Sequence, residues 1–188
     1  MLQQLKNIEI LNSLNEASLV QIAAITTPVT YPKGKILIEA GKIEPYFYIL
    51  ESGIARAYSE GPEQQVTFWF GLSGSILFSF NSYINHKPGY ENIELLENCK
   101  LLQIKITDLF LLYNQHLEIA NWGRKIIEQE LIATEKRLID RLFKGASERY
   151  QEFVNQSPEL IKRVALKHIA SYLGVTQVTL SRIRSAIK

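Results

Sequence analysis

The chain is poor in the residues that build covalent or metal-held structure. It carries one cysteine, Cys99, in 188 residues, which excludes an internal disulfide framework, a cysteine-rich zinc site and a four-thiolate iron-sulfur cluster from one copy. That usage fits a reducing, cytoplasmic compartment. The three histidines, His86, His116 and His168, show no ligand spacing, so neither a metal nor a haem is expected. No apolar stretch approaches the length of a bilayer span, and Met1 to Ile10 lack a charged segment followed by a long apolar run, so neither a membrane partner nor export is expected. Catalytic groupings are missing as well. There is no P-loop, no Ser/His/Asp arrangement, no pair of catalytic acids and no His-x-His of the cupin kind, so neither an enzyme nor a cofactor is expected.

What is present is a chain with 46% hydrophobic residues, enough for one good core and a smaller satellite, hence two unequal domains. The formal charge of +2 conceals a polarised distribution. From Ser157 to Lys188 there are six cations (Lys162, Arg163, Lys167, Arg182, Arg184, Lys188) against one acid, Glu159, a net of +5. Residues 1–116 hold eight cations and eleven acids, a net of −3. A polyanion would meet the C-terminal end.

Along the chain, residues 7–26 read as helical, with Ile8, Leu11, Leu14, Leu19, Ile22, Ala23 and Ile25 at helical spacing and Asn15-Glu16 able to start a fresh helix. From Val29 to Ile106, short runs rich in Ile, Val, Tyr and Phe are broken by Pro32-Lys33-Gly34, Ala40-Gly41, Ser52-Gly53, Glu60-Gly61-Pro62, Gly71, Ser73-Gly74 and Lys87-Pro88-Gly89. Breaks about every ten residues predict an antiparallel roll. Leu117 to about Lys144 predicts one long helix whose apolar stripe, including Trp122, Ile126, Ile127, Leu131 and Leu138, is wider than one domain contact requires. That stripe predicts pairing with a second copy, with Gly123 allowing close backbone approach. Gly145 marks a boundary before a helix from Ala146 to about Gln156, whose Tyr150, Phe153 and Val154 should pack on the segment from Val164 onward. The expected division is 1–116, 117–144 and 145–188.

Val164 to Lys188 reads as a helix-turn-helix. Two short helices crossing steeply need a small residue where their backbones approach, here Ala170, and a residue tolerant of positive φ in the turn, here Gly174. Ile169, Leu173, Val175, Leu180 and Ile183 fall where the wedge should close, and Thr176 is placed to cap the second helix. Gln177, Val178, Thr179, Ser181 and Arg182 then face outward as base-reading candidates, with Lys167, His168, Thr176 and Arg184 as phosphate contacts. Double-stranded DNA is the expected partner.

The order of helix, roll, long helix and terminal helix-turn-helix resembles the Crp/Fnr family of bacterial transcription regulators. The likeness rests on Arg149-Tyr150, Pro158-Glu159-Leu160-Ile161, Ile169-Ala170-Ser171-Tyr172-Leu173-Gly174-Val175-Thr176 and Thr179-Leu180-Ser181-Arg182-Ile183-Arg184. In the roll, Lys33-Gly34, Gly41 and Tyr48-Ile49-Leu50-Glu51-Ser52-Gly53 are similar to the strands of cyclic-nucleotide-binding domains. The resemblance implies an α+β homodimer with an N-terminal sensor and a C-terminal DNA reader, and RNA polymerase is a further expected partner. The chain ends at Lys188, so the β-hairpin wing of longer relatives is not expected within it.

Departures from the pattern carry information. Relatives that bind cyclic AMP have a Gly-Glu turn and, some ten residues on, Arg-Ser-Ala or Arg-Thr-Ala, implying a carboxylate for the ribose and a guanidinium for the phosphate. Here Phe78-Ser79 and Gly89-Tyr90-Glu91 occupy those neighbourhoods. The expected effector is therefore a small molecule other than cyclic AMP, in a pocket drawing on Phe78, Ser79, Phe80, Lys87 and Tyr90. In the second helix, Gln177-Val178 stands where short relatives commonly have Pro-Glu. The competing reading is a ligand-sensing or protein-binding module whose helix-turn-helix no longer reads DNA.

Overall fold

The computed structural model describes residues 1–62 and 64–186. Lys188, one of the six terminal cations, lies outside the described residues. In chain order the elements are α1 (Leu2–Lys6), a 3-10 turn at Glu9–Leu11, α2 (Glu16–Ala24), β1 (Thr26–Tyr31), β2 (Ile36–Ile38), β3 (Tyr46–Ser52), β4 (Ala55–Glu60), β5 (Gln65–Gly71), β6 (Ile76–Leu77), α3 (Phe80–Asn85), β7 (Asn92–Leu95) and β8 (Cys99–Lys105). Helices continue to the end: α4 (Ile106–Gln115), α5 (Leu117–Phe143), α6 (Ala146–Gln156), α7 (Pro158–Arg163), α8 (Leu166–Leu173) and α9 (Gln177–Ala186). Contacts divide them into two compact units, Met1–Ala57 with Phe70–Glu128, and Tyr58–Trp69 with Gln129–Lys188. The division falls inside α5.

In the first unit the helical reading of residues 7–26 needs correction. Ile8, Leu11 and Leu14 are buried as expected, but the helix is broken. Asn12, Ser13 and Asn15 favour local side-chain bonds to the backbone over a continuous helix. Asn15 caps α2, its side chain accepting from the Ser18 amide at 2.8 Å. Glu118 of α5 completes this cap by accepting from the Asn15 amide at 2.9 Å and the Ser18 hydroxyl at 2.6 Å.

The strands form two four-stranded sheets, ordered β1-β8-β3-β6 and β2-β7-β4-β5, with antiparallel pairing of β1 and β3 on β8. Pro28, which lacks an amide hydrogen, sits on the edge strand β1 where the sheet tolerates it. Register places Phe47 opposite Ile104 and Ile49 opposite Leu102, and all four enter one core with the N-terminal helices, α4 and the start of α5. The Phe47 ring stacks on Phe78 at 5.5 Å and meets Trp122 edge-on at 6.4 Å. Gly53 adopts φ +109°, and any Cβ there would strike the buried Cys99 sulfur, so the lone thiol is a packing element. Arg56, an unexpected cation inside β4, is buried and paired with Glu94 of β7 at 2.8 Å.

Among the described residues, the second unit is helical apart from its parts of β4 and β5. Tyr150 and Phe153 of α6, Leu160 of α7, Ile169 and Leu173 of α8 and Leu180 of α9 are all buried. Arg149 ties the bundle together: its guanidinium donates to the Lys144 carbonyl and, at 2.9 Å, to the Leu173 carbonyl at the end of α8. These are orphan carbonyls of helix C-termini, where a cation is favourable.

Candidate nucleic-acid interface

The α8–α9 pair is built as its sequence requires. Gly174 ends α8 in the left-handed conformation, φ +68°, its amide capping the last carbonyls of the helix. A Cβ at Gly174 would meet only the movable end of the exposed Arg141 side chain, so it is the backbone conformation that selects glycine. Thr176 then starts α9: its hydroxyl oxygen accepts from the Thr179 amide at 3.1 Å, and the two threonine hydroxyls pair at 2.9 Å. Ile169, Ala170, Leu173 and Leu180 close the wedge between the helices, while Val175 and Ile183 are half-buried.

This leaves Gln177, Val178, Ser181, Arg182 and Arg184 exposed along α9, with Lys167 exposed on α8 and His168 half-buried. Thr176 and Thr179 are exposed too, but each directs its hydroxyl at the other. Their hydroxyls hold the start of α9. A cavity of about 410 Å³ lies beside the turn, lined by Gln64, Val66, Arg141, Ser171, Val175 and Thr176 among others. Ser171 has a role that no sequence pattern singled out. Its hydroxyl fastens α8 to the tip of β5 through Gln65 and Thr67, partners too distant in the chain for any local pattern to reveal.

The expected effector residues are differently placed. Phe78 is buried in the core, with Phe80 packed on it at 4.6 Å between ring centroids. The buried Ser79 caps α3, accepting from the Ser82 amide. These three belong to the packing of the roll, because an aromatic next to Phe47 and Tyr83 gains more by burial than by lining an open pocket. Lys87 and Tyr90 are exposed. The neighbouring Glu91 is buried, its carboxylate accepting from the Tyr90 amide at 3.0 Å and bordering the space that a Cβ on Gly89 would occupy. Nothing in its sequence neighbourhood signals that burial.

The long helix also corrects its sequence reading in part. Trp122 is only 4% exposed, and its indole nitrogen donates to the Ile10 carbonyl at 2.8 Å, so it belongs to its own core and not to a second copy. Gly123 makes room for the Tyr113 hydroxyl end, not for another backbone. Ile126 and Ile127 pack partly against the same core. Leu131 and Leu138, by contrast, are 68% and 58% exposed. Ile132, Ile139 and Leu142 extend that uncovered face.

Comparison with known proteins agrees with the architecture. Residues 28–116 match the cyclic nucleotide-binding domain family. No curated protein matches the chain in sequence. Among solved structures, FixK2 from Bradyrhizobium japonicum is 20% identical with a TM-score of 0.74, over 87% of this chain and 84% of that one. The c-di-GMP-responsive global regulator CLP of Xanthomonas campestris is 14% identical with a TM-score of 0.76, covering 92% and 91%. A transcriptional regulator from Eubacterium rectale assigned to the Crp/Fnr family is 15% identical with a TM-score of 0.74, covering 93% and 84%. Residues 28–116 are thus similar to a cyclic nucleotide-binding domain. Over most of its length the chain has the fold of Crp/Fnr transcriptional regulators. Among the described residues, no helix is long and apolar enough to cross a membrane.

Proposed function

We propose that the chain is a homodimeric, sequence-specific DNA-binding transcription regulator of Crp/Fnr type whose activity does not depend on cyclic AMP. The observation that carries this reading is the polar, cation-bearing outer face of α9, displayed by a helix-turn-helix whose cap, turn and wedge are complete. Recognition helices present such a face to the major groove. Six cations against one acid in the last 32 residues supply the complementary charge. The uncovered Leu131 and Leu138 support pairing through α5, which would set operator half-sites roughly 34 to 36 Å apart. Glu91 supports independence from cyclic AMP, since a buried carboxylate opposes a phosphate at that end of the roll. The effector is then a different small molecule, and RNA polymerase the downstream partner; no catalytic role is assigned.

Titration of the full chain against genomic DNA fragments at two salt concentrations tests the reading. A regulator selects particular fragments and weakens steeply with salt. Uniform weak binding, or none, would favour a sensing or protein-binding module instead.

A further inference from the structure

The first turn of α9 contains one residue whose exposure the fold does not explain. Val178 is 62% exposed, on a helix start where a β-branched residue is a poor helix former. A lone exposed valine is ordinary on a protein surface. This one stands among Gln177, Thr179, Ser181 and Arg182, all exposed and all polar, on the face proposed to meet a polyanion. The hydroxyls of Thr176 and Thr179 are turned onto each other, which leaves the Val178 methyl groups as a feature of the first turn that neither caps the helix nor fills its core.

We infer that Val178 reads the 5-methyl group of a thymine, making it a specificity-determining residue that selects an A·T pair at one position of each half-site. In the major groove the thymine methyl is the apolar group a base edge presents, and aliphatic side chains recognise it by contact. The N-terminal residues of a recognition helix are those that reach base edges, and Val178 is the second residue of α9. Gln177 beside it can bond adenine through N6 and N7, so the front of α9 addresses A·T-containing sequence while Arg182, about one turn on, addresses guanine.

The inference rests on the DNA-reading proposal, and the test separates the two. Duplexes are first selected from a randomised pool with the full chain, and each thymine of the best duplex is then replaced singly by deoxyuridine, which keeps base pairing and removes only the methyl. One thymine per half-site should be sensitive, its replacement weakening binding roughly fourfold, the worth of one buried methyl. Val178→Ser should bind the thymine and uracil duplexes equally, and Val178→Ile should keep the preference. A pool that yields no enriched sequence would overturn the DNA-reading proposal and this inference with it. Enrichment followed by equal binding of every uracil duplex, or a Val178→Ser chain that still discriminates, would overturn this inference alone.

Discussion

The Ser171 hydroxyl of α8 accepts from the Thr67 amide at 2.9 Å while donating to the Gln65 carbonyl at 2.8 Å. One side chain thereby takes both a donor and an acceptor from β5, as a paired strand would. The contact brings residues 58–69 into the same compact unit as the C-terminal helices.

Ser171→Ala should therefore lower stability by about 1 kcal/mol, the net worth of a typical intramolecular hydrogen bond in a part-buried contact. Urea unfolding measures the loss, and hydrogen exchange at the Thr67 amide locates it. An unchanged midpoint with unchanged Thr67 exchange would contradict the role given to this hydroxyl.

Two carboxylates of the first unit should respond to pH in opposite directions. Hydrogen bonds from the Ser18 hydroxyl and the Asn15 amide hold Glu118 below its ordinary value of 4.5, so its ionised form favours folding. That contribution is complete above the unfolded value and fades as the pH falls through the lowered folded one. Burial pushes Glu44 above 4.5, against hydrogen bonds from the Tyr46 amide and the Tyr48 hydroxyl. Its ionisation costs stability as the pH rises through that window, and the cost then persists to neutrality. Glu118→Gln should fall furthest below the wild type near pH 7, and Glu44→Gln should gain on it there, both differences shrinking at about pH 3.5. Urea midpoints at the two pH values check this. Differences that do not depend on pH, or that have the opposite signs, would show the assignments wrong.

How much was legible beforehand depended on how local each constraint is. Gly174, Thr176 and Leu180 form their turn, cap and wedge within a dozen residues, and each does what its position in the sequence indicated. The alternation of strand-like runs and turns from Val29 to Ile106 likewise announced the two antiparallel sheets. Trp122 and Gly123 misled because their partners, Ile10 and Tyr113, come from other elements. An apolar helical stripe is the same pattern whether it covers its own core or a second copy. Phe78 misled for a related reason: an aromatic beside a turn can line a pocket or fill a core, and only the positions of Phe47 and Tyr83 decide. Arg56 and Ser171 gave no signal, since a polar residue in an apolar run declares that it needs a partner without saying which.

The exposed apolar face of α5 predicts a dimer. Replacing Leu131 and Leu138 together with glutamate should give monomers in sedimentation at micromolar concentration while leaving helix content unchanged, because both side chains are already exposed in the single chain. Burying a leucine contributes about 1.5 to 3 kcal/mol, and two copies would contribute four of them. A wild-type chain that sediments as a monomer at that concentration would contradict pairing.

Cyclic AMP should not bind tightly. The expected cation-phosphate contact is missing, Gly89-Tyr90-Glu91 standing there with the Glu91 carboxylate buried. Loss of a charge-assisted bond removes about 1.5 to 3 kcal/mol, a factor of ten or more in affinity. Low-micromolar binding in a calorimetric titration would overturn this.

The central claim, that α9 reads DNA sequence while α8 holds the backbone, is tested most directly by comparing Arg182→Ala with Lys167→Ala on a selected duplex and its single-base variants. Both side chains are exposed, so neither loss should disturb the fold. Arg182, with a planar fork suited to guanine O6 and N7, should cost about 1 to 3 kcal/mol on the best duplex and flatten the preference at one base pair. Lys167 should weaken every duplex alike and reduce the salt slope by about one. Equal losses across all variants for Arg182→Ala would place that guanidinium on a phosphate, and an unchanged profile for both substitutions would contradict the DNA-reading role of this helical pair.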